Sequence, residues 1–522
     1  MDQKVYKKYF ILLLGVSILV RILIALTTEL GNDEVYYRLY AQPLNWNYFD
    51  HPLAVGWLIR LTTFNLISDT DFLIRMGALI SGTITLIIIF NCGKILKDER
   101  AGFYSAAIFS STIYGTVISG TFILPDSPQM VFWSLSLYLL IKISKKTISS
   151  SKLNYYLILF GVCVGLGMLC KVHSIFLWLG FGLFVLLKRR DLLFQYGLYF
   201  SVLITFIFLI PIIKWNIDNH FITYNYHSNR VSYLNGGVNL SSFLTFNLGQ
   251  VFYTNIILFP IFISSIISFF RKTKEEYQDT LLLILFISLP LILVSTFLSL
   301  FNTVLPHWTG PSFAGISLFT GVYFSNKSTL VKVPKIIIYG LSLTLIVCIA
   351  GVFVINFYPG TLGSKENKNK GFGDFTLDMS GWKNAKEKIS DILEKDVKNN
   401  LMKADAPFIE NKWFPAAHIE HYIANPLKRR VLAIGSINDI HQYYFLNKTR
   451  KGLGFGDNAY CLVPSNYLFD ANQAFGHLFT NFDTAAIISS IRNNNIARKF
   501  YLLRFKGYHN SQNAFSNFRY SY

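Results

Sequence analysis

Residues Asn32 to Trp57 read NDEVYYRLYAQPLNWNYFDHPLAVGW. The stretch follows the first long apolar run. Among tyrosines and tryptophans it gathers an adjacent acid pair, Asp33 and Glu34, and an acid beside a base, Asp50 and His51. Ionisable groups are expensive against lipid, and at the edge of an apolar segment they mark a site rather than a scaffold. The remainder of the chain reads as the frame that holds this segment at one face of a membrane.

Composition points the same way. Of 522 residues, 52% are hydrophobic and 15% charged, with 47 Phe and 30 Tyr. Soluble domains carry about 25% charged residues, so the class is a multi-pass α-helical membrane protein. The formal charge of +19 does not indicate nucleic acid, because the bases do not cluster with stacking aromatics in one soluble module. They punctuate the apolar runs as cytoplasmic loops do, and anionic lipid substrates take up the remainder. Five cysteines without CxxC or zinc spacing support neither a disulfide framework nor a structural metal. The opening MDQKVYKKYF resembles the start of a signal sequence, but no small-residue cleavage site is evident, and it reads as a retained first helix.

A spanning helix needs about 20 apolar residues. That rule puts spans near 9–29, 74–96, 101–120, 127–143, 154–170, 173–187, 193–213, 246–269, 279–300, 309–325 and 335–357, about eleven in a range of eleven to thirteen. The short pair either side of Lys171 also fits one broken or re-entrant unit. Alternate loops carry Lys4/Lys7/Lys8, Lys94/Lys97/Arg100, Lys142/Lys145/Lys146/Lys152, Lys188/Arg189/Arg190, Arg271/Lys272/Lys274 and Lys327/Lys332/Lys335, whereas 301–308 has no Lys or Arg. The positive-inside rule then sets the N-terminus in the cytoplasm and the C-terminal tail outside. On that topology His51, His173, His220, His227 and His307 all fall on the outer side, with Asp33, Glu34, Asp50, Asp126 and Asp218. Trp46, Trp57, Trp215 and Trp308 fall there too, as interfacial anchors do. The acids and histidines have no such explanation. One face carries the chemistry.

Segment 53–68 is too short and mixed to span, and Leu53, Trp57, Leu61 and Phe64 at helical spacing predict a helix lying in the interface. Segment 35–42 reads as another. After Phe357 the composition turns polar, which divides the chain into a membrane domain, 1–358, and an extracytoplasmic α/β domain, 359–522. The second part, about 160 residues, fits one domain. Its β-rich runs are Arg430–Ile434, Tyr460–Val463 and Phe500–Leu503, with helical stretches near 381–399, 413–424 and 483–493. GLGFGDN, 452–458, lacks the strand–turn–helix context of a phosphate-binding loop and reads as a turn.

Several residues have chemistry in reach. A carboxylate near a low-dielectric boundary, as Asp33 or Glu34 would be, can take a proton from an acceptor hydroxyl; the competing reading is a solvated loop acid. Asp126, in TFILPDSPQ, and Asp50 each precede an apolar helix, where an acid also serves as a cap. His51 can donate to a phosphate or orient a neighbour. Lys171 and His173 interrupt GMLCKVHSIF, and a lysine there needs water, an acid or a phosphate unless it snorkels. Arg230 offers a planar fork suited to phosphate oxygens, with His227, Tyr226 and Tyr224 close by in sequence. No cofactor is called for. A divalent metal stays open, with Asp50, His227 and His307 as weak candidate ligands that have no ligand spacing behind them.

NDEVYYRLYAQPLNWNYFDHPLAVGWLIRL resembles the first outer loop of the GT-C superfamily of membrane glycosyltransferases, in the family-39/83 set that includes aminoarabinose (lipid A) transferases and protein O-mannosyltransferases. LPDSPQMVFW, GLGMLCKVHSIFLWLG, PIIKWNIDNHFITYNYHSNR and LPHWTGPSF follow in the family's order, and DMSGWKNAKEKI and WFPAAHIEHYI are similar to its C-terminal domain. The resemblance implies an inverting enzyme of the bacterial inner membrane. It would move a sugar from a polyprenyl (undecaprenyl) phosphate carrier to a lipid A, glycan or protein hydroxyl at the outer face. Asp33 matches the family's catalytic aspartate and Asp126 its second acidic position. Glu34, Asp50, His51, Lys171, Tyr226, His227 and Arg230 fall to substrate and phosphate binding. Asp50–His51 stands where aminoarabinose transferases have a Glu–Lys pair, and Tyr36 where they tend to have arginine, so the chain resembles the broader branch. The rival readings are a flippase for a lipid-linked sugar and a surface-glycan polymerase or ligase.

Overall fold

The computed structural model describes residues 4–145, 148–231, 237–271, 278–327 and 332–509. Lys146, Lys272 and Lys274, counted above among the loop cations, lie outside them. Contacts divide the chain into two compact units. One comprises residues 1–25 and 44–348, the other residues 26–43 and 349–522.

The first unit is helical. In chain order the helices are α1 (Lys4–Thr27), α2 (Asn32–Tyr40, which belongs to the second unit), α3 (Ala54–Thr62), α4 (Asp71–Leu96), α5 (Glu99–Ser110), α6 (Asp126–Ile143), α7 (Ser150–Cys170), α8 (Ile175–Lys188), α9 (Tyr196–Asp218), α10 (Ile222–Val231), α11 (Leu240–Thr254), α12 (Phe259–Arg271), α13 (Gln278–Leu298), α14 (Ser312–Lys327) and α15 (Lys335–Phe357). Among the described residues six are long and apolar enough to cross a membrane: α1, α4, α7, α9, α13 and α15. At 1.5 Å per residue each reaches about 30 Å, the hydrocarbon thickness. The bent pair α11 and α12, turned by 91° at its break, makes a seventh if it is one span.

The other expected spans are shorter or interrupted. The run 101–120 is α5 followed by a π-helical turn, Tyr114–Ile118, a motif frequent at functional sites. Asn255, with φ of 86°, opens the break between α11 and α12. Small residues let the helices close up: a Cβ on Gly93 of α4 would stand 2.7 Å from Gly102 Cα of α5, the close backbone approach typical of membrane helix pairs.

The second unit is built on a five-stranded sheet. Its strands are β1 (Phe408–Glu410), β2 (Val431–Ala433), β3 (Ala459–Pro464), β4 (Phe479–Arg492) and β5 (Asn495–Tyr508), in the order β2-β1-β3-β5-β4. β1 runs parallel to β2 and β3, whereas β5 pairs antiparallel with β3 and β4. Among the helices packed on it are α16 (Trp382–Lys398) and α17 (Trp413–Ile419), the latter continued by a π turn, Glu420–Ala424. The expected strands fall on β2, β3 and β5. The helix expected at 483–493 is strand β4 instead. Asn493 and Asn494, with φ of 44° and 61°, supply the two positive-φ residues of a tight hairpin turn, and pairing to β5 overrides the weak local preference of DTAAIISSI.

Segment 35–42 is not an interfacial helix standing by itself. Helix α2 packs on α17, with Tyr36 and Trp413 ring centroids 4.7 Å apart and Val35, Tyr36, Leu39 and Tyr40 fully buried.

Candidate functional site

Helix α7 breaks at Lys171, which leaves the helical region (φ −157°, ψ 127°) before a short 3-10 turn, Val172–Ser174, starts α8. The break turns the ammonium inward. Lys171 Nζ lies 2.7 Å from Asp126 Oδ2, with the two side chains 4% and 2% exposed. Asp126 therefore does not cap α6: no side-chain cap bond is made there. Its Oδ1 accepts instead from the Tyr114 hydroxyl at 3.0 Å. Tyr114 opens the π turn after α5, and Arg21 of α1 braces that turn by donating to Gly115 O at 3.1 Å. One turn along α6, Gln129 donates to Ser174 at 3.1 Å and ties the helix to the break.

The second cationic group is built on α10. Arg230 donates to the Tyr226 hydroxyl at 3.2 Å and lies 5.4 Å from the Trp308 ring centroid, a cation–π placement. The Trp308 ring is 5.6 Å from His173. The loop 45–52 is sewn onto the same helix: Asn47 donates to Thr223, Thr223 to Tyr48 O, and the Tyr48 amide to His51 O across a tight turn. His227 Nε2 meets Asp50 O at 2.6 Å, and the His51 and His227 rings are 5.9 Å apart.

Asp50 does not cap α3, whose N-cap residue is Leu53. Removal from water holds the His51 imidazole down, to about 4, and displaces His227 in the same direction. His307, pushed down to about 4 by the same cause, also feels the charges of Lys171 and Asp126. Burial thus disfavours the imidazolium form of all three, which suits them to hydrogen bonding rather than to carrying charge.

Of the residues singled out from the sequence, the structure places Asp50, His51, Asp126, Lys171, Tyr226, His227, Arg230 and His307 in one unit. Sequence reasoning missed Tyr114, Arg21 and Gln129. A tyrosine or arginine inside an apolar run carries no local signal of its partner. Among the described residues no group of three or more His, Cys, Asp or Glu side chains is placed to hold a metal ion.

Beside this cluster lies an apolar groove of about 850 Å³ walled by Leu53, Trp57, Leu61, Phe64, Ile84 and Phe132. Its lining includes Pro128 and Cys170, chain neighbours of Asp126 and Lys171.

Asp33 and Glu34 belong to the other unit. On α2, Asp33 is exposed, whereas Glu34 to Tyr40 are all buried. Glu34 turns back to accept from the Gly31 amide at 2.9 Å, the half of a capping box that a glycine N-cap permits. That leaves Asp33 as the acid of the pair presented to solvent.

The chain's family match is to the model described as dolichyl-phosphate-mannose-protein mannosyltransferase, over residues 50–215. The lipid A galacturonosyltransferase RgtD of Rhizobium johnstonii is 22% identical over 282 residues, 54% of this chain and 58% of that protein. The undecaprenyl phosphate-α-4-amino-4-deoxy-L-arabinose arabinosyl transferase of Serratia proteamaculans is 29% identical over 133 residues, 24% of this chain and 23% of that one. The chain thus matches a little over half of the first relative's length and about a quarter of the second's. Crystal structures of ArnT from Cupriavidus metallidurans, apo and bound to undecaprenyl phosphate, superpose with a TM-score of 0.62 at 12% identity. The apo form covers 95% of this chain and 98% of that one. The family match covers residues 50–215, about a third of the chain, and the likeness to the two crystal structures shows a fold shared along nearly its whole length.

Proposed function

We propose that the protein is an inverting glycosyltransferase that takes a sugar from a polyprenyl-phosphate carrier to a hydroxyl of lipid A, another glycan or a protein, at the outer face of a bacterial inner membrane. The observation that carries this reading is the buried Lys171–Asp126 pair at a helix break, with Arg230 and imidazoles in the same unit and an apolar groove alongside. A lipid phosphate asks for such a combination: cations for its oxygens and a greasy trough for its tail. An ammonium has three N–H donors, and the bond to Asp126 uses one.

Asp33 is the general base. It accepts the acceptor's proton as that oxygen attacks the anomeric carbon opposite the phosphate. Negative charge grows on the departing phosphate, and Lys171 and Arg230 stabilise it there more than in the ground state. His51 and His227, whose charged forms burial disfavours, donate or accept hydrogen bonds around the phosphate or sugar. Asp126 orients Lys171 through the bond between them, and Asp50 positions His227 through its carbonyl.

The test is transfer in detergent: purified protein, radiolabelled polyprenyl-phosphate sugar and a membrane extract. Labelled glycan or lipid product that disappears with D33N supports the reading. Absence of product, with translocation of the lipid-linked sugar in vesicles, replaces it with transport.

A further inference from the structure

Residues just before Asp33 are tied to the C-terminal part of their own unit by a series of bonds between positions more than 340 residues apart. The Glu29 amide donates to Met379 O at 3.1 Å, and the Glu29 carboxylate accepts from the Trp382 and Lys383 amides at the start of α16. The Leu30 amide donates to the Tyr422 hydroxyl at 2.6 Å. Asn32 comes next, the first residue of α2. Its Nδ2 donates to Asp378 Oδ2 at 2.9 Å, and its Oδ1 meets His418 Nε2 at 2.8 Å. Because the amide nitrogen faces the carboxylate, the oxygen faces the imidazole, which must present its N–H.

Both partners are themselves immobilised. Asp378 accepts from the Tyr467 hydroxyl on its other oxygen at 2.6 Å. His418 is fully buried and stacked on Trp382, with ring centroids 4.4 Å apart and planes 3° from parallel. Arg498 covers Trp382 at 4.2 Å. At the far end of the segment Gln42 sits between Glu420 and Arg450, the latter at 2.7 Å.

We infer that Asp378 and His418 are positioning residues for Asp33, acting through the side chain of Asn32. The inference rests on the reading of Asp33 as the base. The Asn32 amide is a poor choice for packing and a good one for aim. It cannot rotate without turning a donor toward the imidazole N–H and an acceptor toward the carboxylate. With Glu34 accepting from the Gly31 amide on the other side of Asp33, the peptide frame on both flanks is set, and with it the origin from which the Asp33 side chain projects. A misplacement of about 1 Å costs roughly a hundredfold in rate, so loosening Asn32 lowers turnover more than donor binding.

Transfer kinetics of full-length N32D, D378A, the double variant N32D/D378N and D33N, all in the same detergent, test this. N32D sets a carboxylate against Asp378, and D378A removes the acceptor. Each is expected to lower kcat about ten- to hundredfold while KM for the polyprenyl-phosphate sugar changes less than about threefold. N32D/D378N reverses donor and acceptor across the same bond and restores kcat to within a few-fold of wild type. If N32D and D378A turn over like wild type while D33N is inactive, the positioning role falls and the base reading stands. If kcat and KM fall together with the melting temperature, or the double variant restores nothing, the contacts are structural and the inference is overturned. An active D33N removes both.

Discussion

Asp126 and Asp378 are both withdrawn acids that fix a neighbour, and they do it by different means. Asp126 is buried in the helical unit against a full positive charge at 2.7 Å, with one neutral donor, Tyr114. Asp378 is half-buried in the α/β unit and accepts from a phenol and an amide. A buried ion pair is a costly device for stability. It earns its place where an incoming anion can share the cation. Neutral hydrogen bonds exchange little with a charged ligand, but each fixes direction as well as distance. On the proposed reading, the first unit meets charge and the second holds a carboxylate still.

The largest break in this contrast is D33N. It should lower transfer about 10²- to 10⁴-fold, the usual contribution of a general base, with expression and detergent melting unchanged. Radiolabelled transfer measures it. Next comes K171M. It strands the Asp126 carboxylate in a buried site and should destabilise the protein by about 3–5 kcal/mol, read as a fall in melting temperature. K171M/D126N removes both charges and should regain most of that stability without regaining activity, which separates the pair's structural part from its chemistry.

Y114F follows. It deletes a neutral donor to a buried carboxylate, worth about 1.5–3 kcal/mol, and should lower stability less than K171M does. The smallest effect concerns Asp378, whose pKa is pushed up to about 6 by burial, against the pull of Tyr467, Arg498 and Asn32. Its folded value lies above its unfolded one. Its contribution to stability is therefore complete below about pH 4 and fades as pH rises through 6. Hydrogen exchange at residues 375–379 of wild type, compared with D378N, should show protection rising from pH 7 to pH 5 in wild type and a flatter profile in the variant.

Much of the candidate site was legible because polar residues in apolar surroundings announce themselves. Lys171 within GMLCKVHSIF and Asp50–His51 beside a short amphipathic run needed no partner to be noticed. Their partners were another matter. Asp126 reads equally as a helix cap until the break at Lys171 turns the ammonium toward it. Tyr114 looks like one more aromatic in a span until the chain leaves the α-helix at that point. Strand β4 shows the same limit: Ala485 to Ile488 carries no clear period, and its conformation follows from the hairpin with β5.

Run length, charge alternation and motif order are local properties of a chain, because the bilayer's thickness and its exclusion of charge act on each segment separately. The sequence alone therefore determined a multi-pass helical protein, a polar first loop, a separate α/β region and a family resemblance. Which spans are whole, which break, and to which unit residues 26–43 belong were decided by tertiary structure. The bonds responsible join positions as remote as Leu30 and Tyr422, 392 residues apart. No local pattern encodes a contact whose free energy exists only after both ends have folded.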